Sequence, residues 1–416
     1  MNRTLRDPVE ITHDEERVLV ERGESLAAGL IAAERLLLAR SPKLHRARGP
    51  YCLRGACDGC LARVNGVPNV MTCRVAARGG ERIETQNILG SREHDLYAAA
   101  DFLFPQGFDH HRLLAGSQAS PILTALARRV SGLGSLPEQA SPVRPAKRRE
   151  LDCLIVGGGA AGLSAAAVLG PRALLVDDAL TFGGSLALLA PAEAAASVQR
   201  ARAGGAELLP HTSCLALSRE PEDGSGLLSA LLLGPEGAVH ARCRLVLVAS
   251  GGHDPTPLFG NNDLPGIFTA RAALRLWRSG VRIGRRCAVV GNGRFGRALI
   301  GEMNHEPKQR VFQLHDVERA VGRQRVTRVA FKEGDRMREL SVSLVACDGP
   351  AAPSVELLVQ SGASLRFDAE RGYLPELGAD GLAAPGLYAA GSSAGARDAS
   401  QDGKRVAEIV ARSLRD

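Results

Sequence analysis

The chain has 416 residues, a formal net charge of +7, 45% apolar and 23% charged residues, a length that predicts two to four domains and a composition that excludes a disordered chain. No apolar run approaches the roughly 18 residues of a membrane span. The basic balance is nearly all arginine, with 4% aromatic residues and one tryptophan, Trp277, which excludes the aromatic-studded basic stripe of a nucleic-acid binder.

The N-terminus has no apolar stretch after its first charges, so no secretory signal is read there. A cytoplasmic location follows, with any membrane association made through partners. The nine cysteines, an odd number spread over the chain, then do not form a disulfide framework. Residues 9–20 alternate as a hairpin turning over His13 to Glu16. A helix follows Gly23, with Leu26, Leu30, Ala33 and Leu37 on one face and Ser41-Pro42 as its stop. After a Cys/Gly-rich loop over 52–60, Asn65-Gly66 between short β-like runs predicts a second hairpin. The first hundred residues thus form a small, mostly β unit on one helix.

Cys52, Cys57, Cys60 and Cys73 are spaced C-x4-C-x2-C-x12-C, and the first three match the plant-type [2Fe–2S] pattern. Gly55 and Gly59 let the loop curl so that backbone N–H groups face sulfur. Structural zinc usually pairs two C-x2–4-C knuckles, and only 57–60 is such a knuckle, so zinc is the weaker reading. Cys153, Cys214, Cys243, Cys287 and Cys347 stand singly in apolar stretches and read as core residues. His110-His111 has no defensible metal spacing.

Residues 133–150, including the basic run Arg144 to Arg149, read as an interdomain linker. From Leu151 apolar runs and helices alternate as in a parallel α/β sheet. Gly157-Gly158-Gly159-Ala160-Ala161-Gly162 directly follows a strand and opens a helix. Gly157 permits the turn, Gly159 admits pyrophosphate, and Gly162 packs helix on strand. Asp177, or its neighbour Asp178, ends the next strand and can take ribose hydroxyls. Gly183-Gly184-Ser185 follows. No cysteine pair stands there, so a dithiol reductase is not expected. Gly291, Gly293 and Gly296 form a second such loop in thinner context, where nucleotide binding and a retained fold without ligand both stay open. No Ser/His/Asp set points to hydrolysis.

Several segments resemble the α subunits of heteromeric sarcosine oxidase and its relatives, the FAD/[2Fe–2S] subunits of opine oxidases, hydrogen cyanide synthase and bacterial proline or hydroxyproline dehydrogenases. They are the basic run Arg40 to Pro50, Gly80 to Asn87, the turn Ala249-Ser250-Gly251-Gly252, Gly260 to Gly266, and the strand Gly386 to Gly391. The resemblance runs end to end. It implies an N-terminal β-grasp ferredoxin-like domain over 1–100, a connecting segment over 101–150, and an α/β two-dinucleotide-binding flavoprotein fold. The FAD domain would take 151–265 plus 355–416, with a smaller nucleotide-binding-like domain inserted at 266–354. Gly251, Gly391 and Ser392 would join the first loop around FAD, a site where some relatives hold NAD or ATP, and FMN at a subunit interface also stays open. Gly391-Ser392 stands where this fold commonly has Gly-Asp. The chain ends at Asp416 without the folate-binding region of sarcosine oxidases, so a folate-dependent sarcosine oxidase is not expected.

The expected function is electron transfer within a heteromeric amine or amino-acid dehydrogenase or oxidase. A β subunit resembling FAD-dependent amino-acid oxidases would oxidise the substrate. Electrons would then pass through flavin and cluster to a quinone, oxygen or a carrier protein, and no catalytic acid or base is named in this chain. The rivals are a self-sufficient NAD(P)H-dependent FAD/[2Fe–2S] reductase and a structural subunit whose nucleotide sites only stabilise the assembly.

Overall fold

A computed structural model describes residues 3–41, 44–88, 90–92, 95, 145–219 and 226–415. Pro42-Lys43, His110-His111, most of the connecting segment and Arg144 lie outside the described residues. The chain divides into two compact units, Met1–Ala140 with Thr256–Gly349, and Ser141–Pro255 with Pro350–Asp416.

The N-terminal domain of the first unit is a five-stranded mixed sheet. Its strands are β1 (Pro8–His13), β2 (Glu16–Glu21), β3 (Leu61–Val64), β4 (Val67–Met71) and β5 (Arg82–Glu84), in the order β2-β1-β5-β3-β4. β1 and β5 are parallel and the other pairs antiparallel, the β-grasp arrangement. Helix α1 (Leu26–Ala32), capped by the Ser25 hydroxyl, buries Leu26 and Leu30 against Ile11, Val20 and Ile83. Both hairpins form, the first over Asp14-Glu15 with positive φ at both residues. His13 is not in that turn: it ends β1 at 0% exposure. The helix is also shorter than the sequence periodicity predicts. Glu34 turns with φ of 62°, and Leu36 to Leu38 run on as buried non-helical chain, Leu38 N–H donating to the Arg48 carbonyl. Hydrophobic spacing cannot separate a helix face from a short buried extended run.

In the second unit β6 (Lys147–Val156) leads into α2 (Ala160–Leu169) and β7 (Ala173–Val176). With β8 (Glu207–Leu209), β9 (Ser213–Arg219), β10 (Leu228–Gly234) and β11 (Gly237–Val248) they form the order β8-β7-β6-β11-β10-β9. β8, β7, β6 and β11 are mutually parallel. β6 begins four residues inside the stretch read as linker, because Lys147 to Glu150 pair with Val239 to Arg242 of β11.

The chain then returns to the first unit. β12 (Ile267–Thr269), α3 (Ala270–Arg278), β13 (Arg286–Val290), α4 (Arg294–Asn304), β14 (Arg310–Leu314) and β15 (Leu344–Cys347) build a small parallel sheet, β12-β15-β13-β14. An antiparallel meander, Val317–Gly322, Val326–Glu333 and Arg336–Ser341, sits between β14 and β15 in sequence. Arg46 grips both Asp263 oxygens (2.8 and 2.5 Å) and Arg48 adds a third bond (2.7 Å), joining the cluster domain to this sheet within one unit. Back in the second unit, β16 (Leu387–Ala389) lies parallel beside β11, and α5 (Ala399–Ser413) packs on α2. Among the described residues no helix is long and apolar enough to cross a membrane.

Candidate cofactor sites

The loop 52–60 brings the four cysteines together as two pairs. The Cys57 thiol hydrogen-bonds to Cys52, and the Cys73 thiol, delivered by the end of the β3–β4 hairpin, to Cys60. Through that bond, with the backbone N–H groups of Arg54 and Ala56 helping against burial, Cys52 is pulled down to about 6. Cys60 is pulled down to about 7 by Cys73 in the same way, while Cys57 and Cys73 are pushed up. N–H groups of Gly59 and Gly55 also reach sulfur at Cys57 and Cys73. Gly59 is required sterically, since a Cβ there would stand 2.5 Å from the Gly49 carbonyl oxygen. Among the described residues no three Cys, His, Asp or Glu side chains group as a single metal ion needs. Two neighbouring thiol pairs are a donor set that fits two sulfide-bridged irons.

The loop is seated by its own unit. Arg275 of α3 donates to the Leu53 carbonyl (2.8 Å), and Thr269 N–H to the Tyr51 carbonyl (3.1 Å). The five remaining cysteines are core residues: Cys153, Cys243, Cys287 and Cys347 are buried and Cys214 half-buried. Burial pushes Cys243, Cys214, Cys287 and Cys347 up to about 12, and Cys153 higher still.

The first glycine loop lies at the carboxyl ends of β6, β7 and β11, where open α/β sheets bind ligands. Gly157, with φ of 112°, approaches so closely that a Cβ would stand 2.4 Å from the Ala249 carbonyl oxygen. Gly162 in α2 backs onto the Gly157 carbonyl at 1.9 Å from its ideal Cβ. A Cβ on Gly159 would meet nothing within 4 Å, and no side chain caps α2 there. That uncapped helix start over open space fits a pyrophosphate. Ala160 and Ala161 form its first turn. A Cβ on Gly184 would stand 3.2 Å from Gly159 Cα, with half-buried Ser185 beside it, and a Cβ on Gly251, at φ of 83°, would meet nothing within 4 Å.

Asp177 is bonded within the loop. Its two oxygens accept from Gly158 N–H (2.5 Å) and Ala179 N–H (2.7 Å), so it braces the loop, and the exposed neighbour Asp178 is the carboxylate at the rim. Gly391 packs on Ala161, and its N–H donates to Asp402 in the first turn of α5 (2.8 Å). Asp402 thus places a carboxylate beside the Gly391-Ser392 turn, which lacks one of its own. The Asp402-Gly403 pair opening the last helix is the sequence signal for it. Ser392 is half-buried, while neighbouring Ser393 is buried and donates to the Val248 and Ala390 carbonyls.

The second loop repeats the first in backbone. Gly291 N–H bonds the Leu314 carbonyl as Gly157 N–H bonds that of Val176, and Asp348 N–H bonds the Val290 carbonyl as Ala249 N–H bonds that of Val156.

A family profile described as "2Fe-2S iron-sulfur cluster binding domain" matches residues 6–88. The sarcosine oxidase subunit alpha of Rhizobium meliloti (strain 1021) is 25% identical over 461 residues, covering 98% of this chain and 46% of that protein. That of Corynebacterium sp. (strain P-1) is 28% identical over 303 residues, covering 66% and 30%. The chain therefore spans less than half the length of these curated relatives. Among solved structures, L-proline dehydrogenase from P. horikoshii matches with a TM-score of 0.73 and 22% identity, over 98% of this chain and 74% of that one. Thioredoxin reductase from T. acidophilum matches at 0.51 and 20%, over 64% and 100%. These two likenesses concern the fold. A β-grasp [2Fe–2S] domain on a two-dinucleotide-binding flavoprotein fold defines an iron–sulfur flavoprotein, a class of oxidoreductase whose cofactors are [2Fe–2S] and FAD. Within that class the chain is similar to sarcosine oxidase α subunits.

Proposed function

We propose that this chain is the electron-transfer subunit of a heteromeric amine or amino-acid dehydrogenase or oxidase. A partner subunit with its own flavin takes two electrons from a CH–NH donor. They leave through this chain, one at a time, to a quinone, oxygen or a carrier protein. The observation that carries this reading is one chain holding both a four-thiol loop and an open, uncapped dinucleotide cradle. When bound, FAD carries electrons in pairs and the cluster carries them singly, the conversion a relay needs. Cys52, Cys57, Cys60 and Cys73 ligate the cluster in this reading, and nearby backbone N–H groups stabilise charge on sulfur. Gly157, Gly159 and Gly162 admit the FAD pyrophosphate to the start of α2, with Ala160 and Ala161 in its first turn. Gly184, Ser185, Gly251, Gly391 and Ser392 line that site in this reading, and Asp177 or Asp178 takes the ribose.

The test mixes the holo-chain anaerobically with sarcosine or L-proline. Flavin and cluster absorbance stay unchanged for the isolated chain, and bleach once a co-expressed amino-acid-oxidase-like subunit is present. Cys57→Ser removes the cluster signal and keeps the flavin. Bleaching of the isolated chain within seconds by amino acid overturns the proposal. So does bleaching by NADH, the behaviour of a self-sufficient reductase.

A further inference from the structure

The two glycine loops share their backbone and differ in one side chain. Each sits beside the end of a neighbouring strand, and its first glycine lies against the carbonyl of the residue just past that end. Gly157 meets Ala249 oxygen and Gly291 meets Asp348 oxygen, at 2.4 and 2.1 Å from the ideal Cβ positions. Ala249 and Asp348 therefore occupy equivalent places. At the first loop the side chain is a methyl, and the space over Gly159 is open. At the second it is a carboxylate lying in the loop itself. Asp348 Oδ2 accepts from Gly296 N–H at 2.5 Å, and Oδ1 from Gly349 N–H at 3.1 Å. A Cβ on Gly293 would stand 2.5 to 2.7 Å from all three carboxyl atoms. Asp348 is 9% exposed.

We propose that Asp348 is a built-in anion occupying the pyrophosphate position of the second glycine loop, so that this half of the fold is closed to NAD(P) and serves as the seat of the cluster domain. A helix N-terminus attracts one compact negative group through its N–H donors and dipole. Here a donor of that turn, Gly296 N–H, is already spent on Asp348. A dinucleotide would have to displace a buried carboxylate and would meet it as a like charge. The glycines keep a reason to be glycine, because Gly293 must admit Asp348 and Gly291 its carbonyl. The same strand end reaches the cluster loop: Cys347 precedes Asp348, and its thiol hydrogen-bonds with Tyr51, next to Cys52. Thr269 at the end of β12, the neighbour of β15, holds the Tyr51 carbonyl.

The test uses the FAD-loaded, cluster-replete chain, so that the first loop is filled, and measures NADH and NADPH binding by equilibrium dialysis. The wild type binds neither at millimolar concentration. Asp348→Ala, which gives the second loop the side chain of the first, gains NADH binding by at least about tenfold. Adding Gly293→Leu to that variant removes the gain. FAD content, cluster absorbance and melting temperature, measured in parallel, show whether each variant is folded. Saturable NADH binding by the FAD-loaded wild type overturns the proposal without reference to any variant. A folded Asp348→Ala chain that gains no binding overturns it too.

Discussion

The two glycine loops carry the same spacing, follow a strand in the same way and open a helix in the same way, yet they are unlike as sites. In the first, the middle glycine faces open space and its neighbours Gly157 and Gly162 carry the packing. In the second, Gly293 is pressed against the Asp348 carboxylate. A G-x-G-x-x-G pattern therefore describes a backbone path, and what stands opposite the middle glycine differs between the two loops.

The largest test of this contrast is a reciprocal pair of substitutions. Gly159→Leu should lower FAD affinity by at least about a hundredfold while costing no more than about 1 kcal/mol of stability, since its Cβ enters open space. Gly293→Leu should do the reverse, leaving FAD content unchanged and costing about 3 kcal/mol through the clash with Asp348. Flavin content and thermal melts of both variants check it, and a stability loss at Gly159 with none at Gly293 would erase the distinction.

Acid should separate the halves of the molecule next. His13 is buried in the cluster domain beside the Thr85 hydroxyl (3.2 Å), the Arg92 guanidinium (3.1 Å) and Asp14 (3.6 Å). Burial pulls its pKa from 6.5 down to about 4, outweighing Asp14. A lowered folded value means that the unfolded chain binds the extra proton first. The stability held above about pH 6.5 is then lost as pH falls towards 4, by up to about 3 kcal/mol. Cluster absorbance should fade over that window before flavin is released, and His13→Asn should flatten the dependence.

The smallest effect concerns the tie between the cluster domain and the small parallel sheet. Burial pushes Asp263 up, but its bonds with Arg46 and the nearby Arg48 charge outweigh that and hold it below the usual carboxylate range. Asp263→Asn should cost about 1 kcal/mol, and less in high salt, read as an earlier melt of the cluster signal with the flavin signal unmoved.

What the sequence made legible was local. The cysteine spacing, the Asn65-Gly66 hairpin and both glycine loops are patterns within about twenty residues, each tied to a backbone need. What it hid was paired across distance. Asp348 meets Gly296 across 52 positions, and nothing in Cys347-Asp348-Gly349 announces the meeting. Asp177 carries the spacing of a ribose ligand, and nothing in that spacing tells of its bond to Gly158, which braces the loop. The start of β6 was masked by its charges, since Lys147 and Arg149 pair with Glu236 and Glu207 at the sheet surface and look like linker when read alone.

The partition of the nine cysteines has a practical reach. Four thiols belong to the cluster loop, and the other five are held protonated by burial, Cys214 alone among them half-buried. Alkylating reagents attack thiolates that solvent can reach. Maleimide uptake by the folded protein thus reports on the cluster loop: near zero for a fully loaded preparation and rising as iron is lost, while the four buried core thiols react only when the fold itself is gone.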